Sequence, residues 1–252
     1  MNESTVAAQL YTLREYTKVP SDLRETLARL KKIGYRAVQV SAVGPVEPAE
    51  LATMLSDLDL VCCVTHTSFD RMTSDPAGVV ADHRLWGCRF TAVGGHFPAA
   101  LSAGDWDRFI HDFNAVARRF AADGLRLGYH NHSHELARIG SQTILDRLIE
   151  RCDPSVWFEL DTYWIAHGGG DPAAWIRRVA GRIPCVHLKD MAIHYPREQR
   201  MAEVGDGNLN WPAILDVCRE AGVQWYIVEQ DTCYRDPFES LAISFENLMK
   251  MK

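Results

Sequence analysis

The chain has 252 residues, 47% of them hydrophobic and 24% charged, with a formal net charge of −6. That is ample apolar material for one core, and the length suits a single (β/α)8 barrel of roughly 250 residues as well as it suits two small domains. The acidic balance lends no bulk support to a nucleic-acid partner, although a local basic patch is left open.

The opening stretch, MNESTVAAQLYTLREY, has no basic region followed by an apolar run, so it does not read as a secretory signal. No segment is long and apolar enough to span a bilayer. Cys62 and Cys63 are adjacent; Cys88, Cys152, Cys185, Cys218 and Cys233 are dispersed. An odd count without C-x-x-C spacing fits a reducing compartment, so a cytoplasmic protein with no membrane partner is expected.

Along the chain, short apolar runs alternate with longer amphipathic ones. The first strand is predicted at Val6–Tyr11 and is followed by Thr12-Leu13-Arg14-Glu15. No glycine-rich phosphate loop follows it, which argues against an open dinucleotide-binding sheet. Strands two to four are predicted at Ala37–Ser41, Leu60–His66 and Phe90–Gly94. Next comes an apolar stripe at helical spacing: Trp106, Phe109, Ile110, Phe113, Val116, Ala117 and Phe120, closed by Gly124. Strands five to eight are predicted at Leu125–His130, Val156–Asp161, Cys185–Lys189 and Tyr226–Glu229. Asp75-Pro76, Asp171-Pro172 and Asp236-Pro237 each place an N-capping carboxylate before a proline at the first helical position. Gly34, Gly124, Gly181 and Gly222 stand where left-handed helix ends are expected. Gly168-Gly169-Gly170 reads as a turn, since no phosphate-loop Lys or Ser/Thr follows. Eight βα units without a composition break predict one domain over residues 1–252, a closed parallel TIM barrel.

In such a barrel the reactive groups sit at the C-terminal ends of the strands, and residues i and i+2 share a face. The last four strands end in polar pairs of that spacing: His130/His132, Glu159/Asp161, His187/Lys189 and Glu229/Asp231. One such pair has a bland explanation, a strand end meeting solvent. Four in succession, rich in His, Asp and Glu, point to a mixed imidazole and carboxylate metal site built from His130, Asp161, His187 and Glu229.

At these residues the sequence resembles the xylose-isomerase-like barrel superfamily, which contains sugar phosphate isomerases and epimerases, inosose dehydratases and an endonuclease branch. The resemblance runs over nearly the whole chain and is carried by GYHNHSHEL (128–136), FELDTYW (158–164), VHLKDM (186–191), EVGDGNLNW (203–211) and YIVEQD (226–231). It implies one divalent ion, Mn, Co, Zn or Mg with Mn favoured, held by residues of strands five to eight. Asp161, His187 and Glu229 match that pattern directly. Strand five departs from it, because many epimerases carry a Glu where this chain has His130. Either His130 takes the ligand place, the preferred reading, or Glu135 reaches back. Trp164 stands where several relatives have a His, which argues against a multi-metal site.

Around this centre the expected substrate-binding residues are His66, His132, Trp164, Glu203 and Asp231. Lys189 either holds a substrate oxygen or is ion-paired with Asp161 or Glu229. Glu203 and Asp206 lie in a loop resembling the family's substrate-covering segment; a solvated turn is the simpler reading of Asp206. Gln9 and Tyr11 are candidates to point inward. The chemistry implied is proton abstraction next to a carbonyl, with Glu229, Glu135 and Lys189 as catalytic residues. An isomerase or epimerase of a keto sugar or related polyol is the first reading. A lyase, either a dehydratase or an enzyme eliminating from a keto-glycoside, follows closely because His130 removes one carboxylate. An endonuclease and a non-catalytic sugar-binding barrel are the weaker alternatives. The expected partner is a small carbohydrate, not nucleic acid; self-association is left open.

Overall fold

The computed structural model describes residues 2–251. Eight parallel strands close into a barrel: β1 Val6–Gln9, β2 Ala37–Val40, β3 Val61–His66, β4 Phe90–Val93, β5 Arg126–His130, β6 Trp157–Asp161, β7 Cys185–Leu188 and β8 Trp225–Val228. Each pairs with its sequence neighbours, and β8 pairs with β1 through Val6–Tyr226, Ala7–Ile227 and Ala8–Val228. This is the (β/α)8 TIM barrel expected from the alternation of strands and helices.

The helices begin where the local chemistry asks them to. Asp75 accepts from the Gly78 N–H, Asp171 from Ala173, and Asp236 from Phe238 and Glu239, each just before a proline at the helix start. The helix Ala103–Ala122 buries Trp106, Phe109, Ile110, Phe113, Ala117 and Phe120 against the barrel. Gly222 ends the helix Trp211–Ala221 at φ 79°, a left-handed conformation that glycine adopts without steric cost.

Side chains alternate between an outer core under the helices and the barrel interior. The lower interior is filled by Ala7, Ala37, Cys63, Phe90, Ala92, Trp157, Cys185 and Ile227. Trp157 fits because its β5 neighbour is Gly128; a Cβ there would lie 2.3 Å from the indole. Above this apolar plug the inward positions turn polar, with Gln9, Gln39 and Glu159 all buried.

Three details differ from the sequence reading. β1 ends at Gln9 rather than Tyr11, because the chain coils at once into the 3-10 turn Leu10–Tyr16. Lys189 and Glu229 lie just past the ends of β7 and β8. Two small antiparallel hairpins, Arg138–Ile139 with Gln142–Thr143 and Asp190–His194 with Glu198–Ala202, carry too little apolar alternation to be read from sequence. Among the described residues no helix is long and apolar enough to cross a membrane.

Candidate metal centre

The four residues singled out at the strand ends converge. His130 ends β5, Asp161 ends β6, His187 lies in β7 and Glu229 follows β8, and all are buried. One donor atom from each lies within 4.8 Å of the other three. His187 Nδ1 is 3.0 Å from Glu229 Oε2 and 3.7 Å from Asp161 Oδ2, and His130 Nε2 is 3.4 Å from that same Asp161 oxygen.

Three of these side chains are tied down at the end away from the cluster. His130 Nδ1 meets the Gly94 carbonyl at 3.3 Å. Asp161 Oδ1 caps the helix Thr162–His167 by accepting the Trp164 N–H at 2.9 Å. His187 Nε2 meets Gln39 Oε1 at 2.6 Å. The opposite ends, His130 Nε2, Asp161 Oδ2 and His187 Nδ1, together with Glu229 Oε2, are buried and make no well-directed hydrogen bond, although the Lys189 ammonium lies beside the two carboxylate oxygens. Each orphaned buried polar atom costs about 1–3 kcal/mol. Four aimed at one point fit a divalent cation, and the two-imidazole, two-carboxylate donor set is one that Mn, Co, Zn and Mg accept to different degrees.

Lys189 enters the same cluster from beside it. Its ammonium is 2.8 Å from Glu229 Oε2, 3.0 Å from Asp161 Oδ2 and 3.0 Å from Asp231 Oδ1. The ion-pair reading of Lys189 is therefore what the structure shows. Burial works against its charge, but the Asp161, Glu229 and Asp231 carboxylates outweigh that and keep it protonated well above the usual amine range. Burial likewise opposes ionisation of Glu229, yet Lys189 and His187 hold it well below the usual carboxylate range. Asp161 is held down by Lys189 and His130 in the same way. Burial and the neighbouring His187 push His130 downward, so it stays neutral and keeps a lone pair to donate.

A cavity of about 510 Å³ opens over the cluster, within the range of small-molecule sites. His66, His130, His132, Lys189, Glu229 and Asp231 line it, with Tyr11, Ser41, Thr67, Phe69, Asp70 and Phe97 forming the far wall. His66, His132, Asp231 and the inward candidate Tyr11 are thus brought to the mouth. The other expected site residues are not. Glu135 is fully buried and faces away: Oε1 accepts the Tyr129 hydroxyl at 2.6 Å and Oε2 the His132 N–H at 2.8 Å. Glu203 accepts from Ser240 at 2.7 Å and pairs with Arg235, pinning its loop to the C-terminal helix Pro237–Lys250. Trp164 packs beside His132 and Lys189, behind the cavity wall. Asp206 takes a hydrogen bond from Asn247, a surface anchor. The loop that holds Glu203 and Asp206 is organised by buried Asp190, which accepts from the backbone of Gly205, Gly207 and Leu209.

Two residues that sequence reasoning passed over lie directly behind the cluster. Glu159 was visible only as the partner of Asp161 in an i, i+2 pair. Gln39 was a single polar residue inside the apolar run Ala37–Val40, and that interruption was its one signal. Gln39 Nε2 is 3.1 Å from both Glu159 oxygens, and Glu159 Oε2 is 2.6 Å from His66 Nε2.

Similarity to known proteins agrees with this geometry. The chain is 28% identical over 168 residues to the rhizopine catabolism protein MocC of Rhizobium meliloti, covering 60% of this chain and 51% of that protein. It is 30% identical over 155 residues to an inosose dehydratase of Geobacillus thermodenitrificans, covering 54% and 51%. The chain thus spans about half the length of these curated relatives. A sugar phosphate isomerase/epimerase from Parabacteroides distasonis shares the fold, with a TM-score of 0.83 at 23% identity over 98% of this chain and 94% of that one. The family pattern described as xylose isomerase-like TIM barrel matches residues 27–248, and the chain belongs to that family.

Proposed function

We propose that this protein is a divalent-metal-dependent sugar isomerase or epimerase that moves a proton next to the carbonyl of a keto sugar or related polyol. The observation that carries this reading is the convergence of four buried donor atoms, from His130, Asp161, His187 and Glu229, beside a small-molecule cavity that His130 and Glu229 line. A divalent ion held there supplies Lewis acidity toward neighbouring substrate oxygens. Glu229 belongs to the cluster and also lines the cavity, so its carboxylate is placed to take a proton from the substrate carbon. Lys189, held as an ammonium at the cavity wall, stabilises negative charge that develops on the substrate oxygen. Tyr11, Phe69 and Phe97 give the substrate's C–H faces apolar surface to lie on.

A lyase is the second reading, and one observation favours it. Glu135 faces Tyr129 instead of the cavity, so strand five contributes His130 and His132 to the mouth and no carboxylate. The similarity to inosose dehydratases points the same way. Both readings begin with the same proton abstraction. The test is to incubate Mn²⁺-loaded enzyme with keto sugars, inososes and 3-keto-glycosides in deuterated water. Deuterium at the carbon next to the carbonyl, with every other atom of the substrate retained, marks the isomerase or epimerase, and loss of water or of an alkoxy group marks the lyase. Full activity after chelator treatment would overturn both.

A further inference from the structure

Gln39 is fully buried inside the barrel on β2, and both ends of its amide are in use. Its Nε2 lies 3.1 Å from each oxygen of Glu159, and its Oε1 lies 2.6 Å from His187 Nε2. A carboxylate only accepts hydrogen bonds, so the amide NH₂ must face Glu159 and the amide oxygen must face His187. An amide oxygen also only accepts, so His187 Nε2 must carry a hydrogen. In the neutral ring, the form that binds a metal ion, the lone pair is then on Nδ1, the atom turned to the cluster. The second arm of the network follows the same logic. His66 Nε2 meets Glu159 Oε2 at 2.6 Å and must be its donor, which in the neutral ring leaves His66 Nδ1 as an acceptor. Gly94 lies beside that nitrogen; a Cβ there would sit 3.0 Å from Nδ1, and glycine keeps the approach open. His66 lines the cavity, so a substrate hydroxyl has a donor's path to it.

We propose that Glu159 and Gln39 act as a positioning relay behind the metal centre: Gln39 fixes His187 with Nδ1 bare toward the ion, and Glu159 fixes both Gln39 and His66, turning His66 Nδ1 to the substrate. The proposal rests on the metal reading above and adds residues from β2, β3 and β6 to it. Side chains that orient a metal-bound imidazole through its other nitrogen typically change metal affinity by about 10–100-fold when removed.

Three variants separate the arms, read by Mn²⁺ titration calorimetry, thermal melting and steady-state kinetics. Gln39→Met keeps the length and removes both polar ends; it raises the Mn²⁺ Kd by about 10–100-fold. His66→Phe removes the substrate contact and one of the hydrogen bonds to Glu159 but leaves Gln39 on Glu159 and His187, so it leaves the Mn²⁺ Kd within about twofold and raises KM. Glu159→Gln lets both arms reorient and shifts both readouts. A Gln39→Met protein that is folded and binds Mn²⁺ within about twofold of wild type overturns the relay while leaving the metal centre standing. If wild type itself binds no divalent ion, the metal reading fails and the relay with it. Should Gln39→Met not fold, the decision passes to wild-type protein labelled with ¹⁵N-histidine and loaded with Zn²⁺. The relay requires a proton on His187 Nε2 and on His66 Nε2, and finding either proton on Nδ1 instead overturns it.

Discussion

Lys189 offers the sharpest test of how the charges in the site are balanced. Its ammonium is 1% exposed and serves three carboxylates, two of which, Asp161 and Glu229, also belong to the candidate ligand set. Lys189→Met keeps much of the volume and leaves these acids without their cation. Breaking a buried ion pair by removing one partner costs about 3–5 kcal/mol. For a chain of this size each kcal/mol moves Tm by about 2–4 °C, so the variant should melt roughly 6–20 °C below wild type in chelator. A divalent ion then has two effects. At a concentration of 100 times Kd it stabilises any folded state that binds it by about 2.7 kcal/mol. In the variant it also takes up Asp161 Oδ2 and Glu229 Oε2, oxygens that no longer have an ammonium beside them. The gain in Tm on adding Mn²⁺ should therefore be larger in Lys189→Met than in wild type, while turnover is lost. Scanning calorimetry at pH 7, in chelator and in Mn²⁺, reads all four states. A variant that melts within about 2 °C of wild type in chelator, or that gains no more from Mn²⁺ than wild type does, refutes the account of Lys189 as the cation holding the cluster together.

His130→Ala should lower Mn²⁺ occupancy measured by metal analysis, while Glu135→Ala should keep the ion; the reverse pattern transfers the strand-five ligand role to Glu135. Glu229→Gln retains the shape of the site and removes its charge, so kcat/KM should fall by about 10²–10⁴, the usual worth of a positioned acid or base; a loss under tenfold removes Glu229 from the chemistry. Burial pushes the Glu135 carboxyl up to about 8 against the Tyr129 hydroxyl and His132 N–H that favour its charge. Between about pH 4.5 and pH 8 the unfolded chain has then lost a proton the folded one keeps, so stability falls as pH rises through that window. Urea unfolding across it should show that slope, and Glu135→Gln should flatten it. A terminal phosphate on an otherwise good keto-sugar substrate should raise KM, because Asp70, Asp231 and Glu229 line the mouth and the Lys189 ammonium is already shared among three carboxylates; a lower KM for the phosphate ester counts against this picture.

The parts of this molecule governed by local rules were legible in its sequence. A strand turns its residues over with period two, so four consecutive i, i+2 pairs at strand ends were enough to bring His130, Asp161, His187 and Glu229 together. Asp–Pro helix starts were legible for the same reason, since a cap and a fixed proline φ act within one turn of chain. The parts that depend on distant partners were not. Gln39 has one local mark, that it interrupts an apolar strand; its meaning lies in Glu159, 120 positions away, and in His187, 148 away. Glu135 shows the opposite case. Its spacing from His130 allowed it to reach back, but the 3-10 turn His134–Leu136 points it at Tyr129. The Asp190–Ala202 hairpin was missed because its outer strand, Glu198–Ala202, offers mostly polar residues to a surface that does not select against them.

Strand five is where the chemistry of this chain is decided. With His130 in the cluster the donor set holds two carboxylates and two neutral imidazoles, one negative charge fewer than a set with a third carboxylate in that place. An ion so held keeps more of its positive charge. Such an ion would supply stronger Lewis acidity and would itself be held less tightly. The structure offsets part of that weaker grip by rigidity: His130, Asp161 and His187 are each fixed at the far end by a backbone group or a buried amide, so little conformational entropy remains to be lost when the ion arrives. The same exchange leaves Glu229 as the carboxylate shared by cluster and cavity, with Asp231 beside it engaged to Lys189. One base on one face is sufficient to start any of the reactions considered. A second group is needed only to return the proton from the other side; His66, whose ring is fixed by Glu159, also lines the cavity.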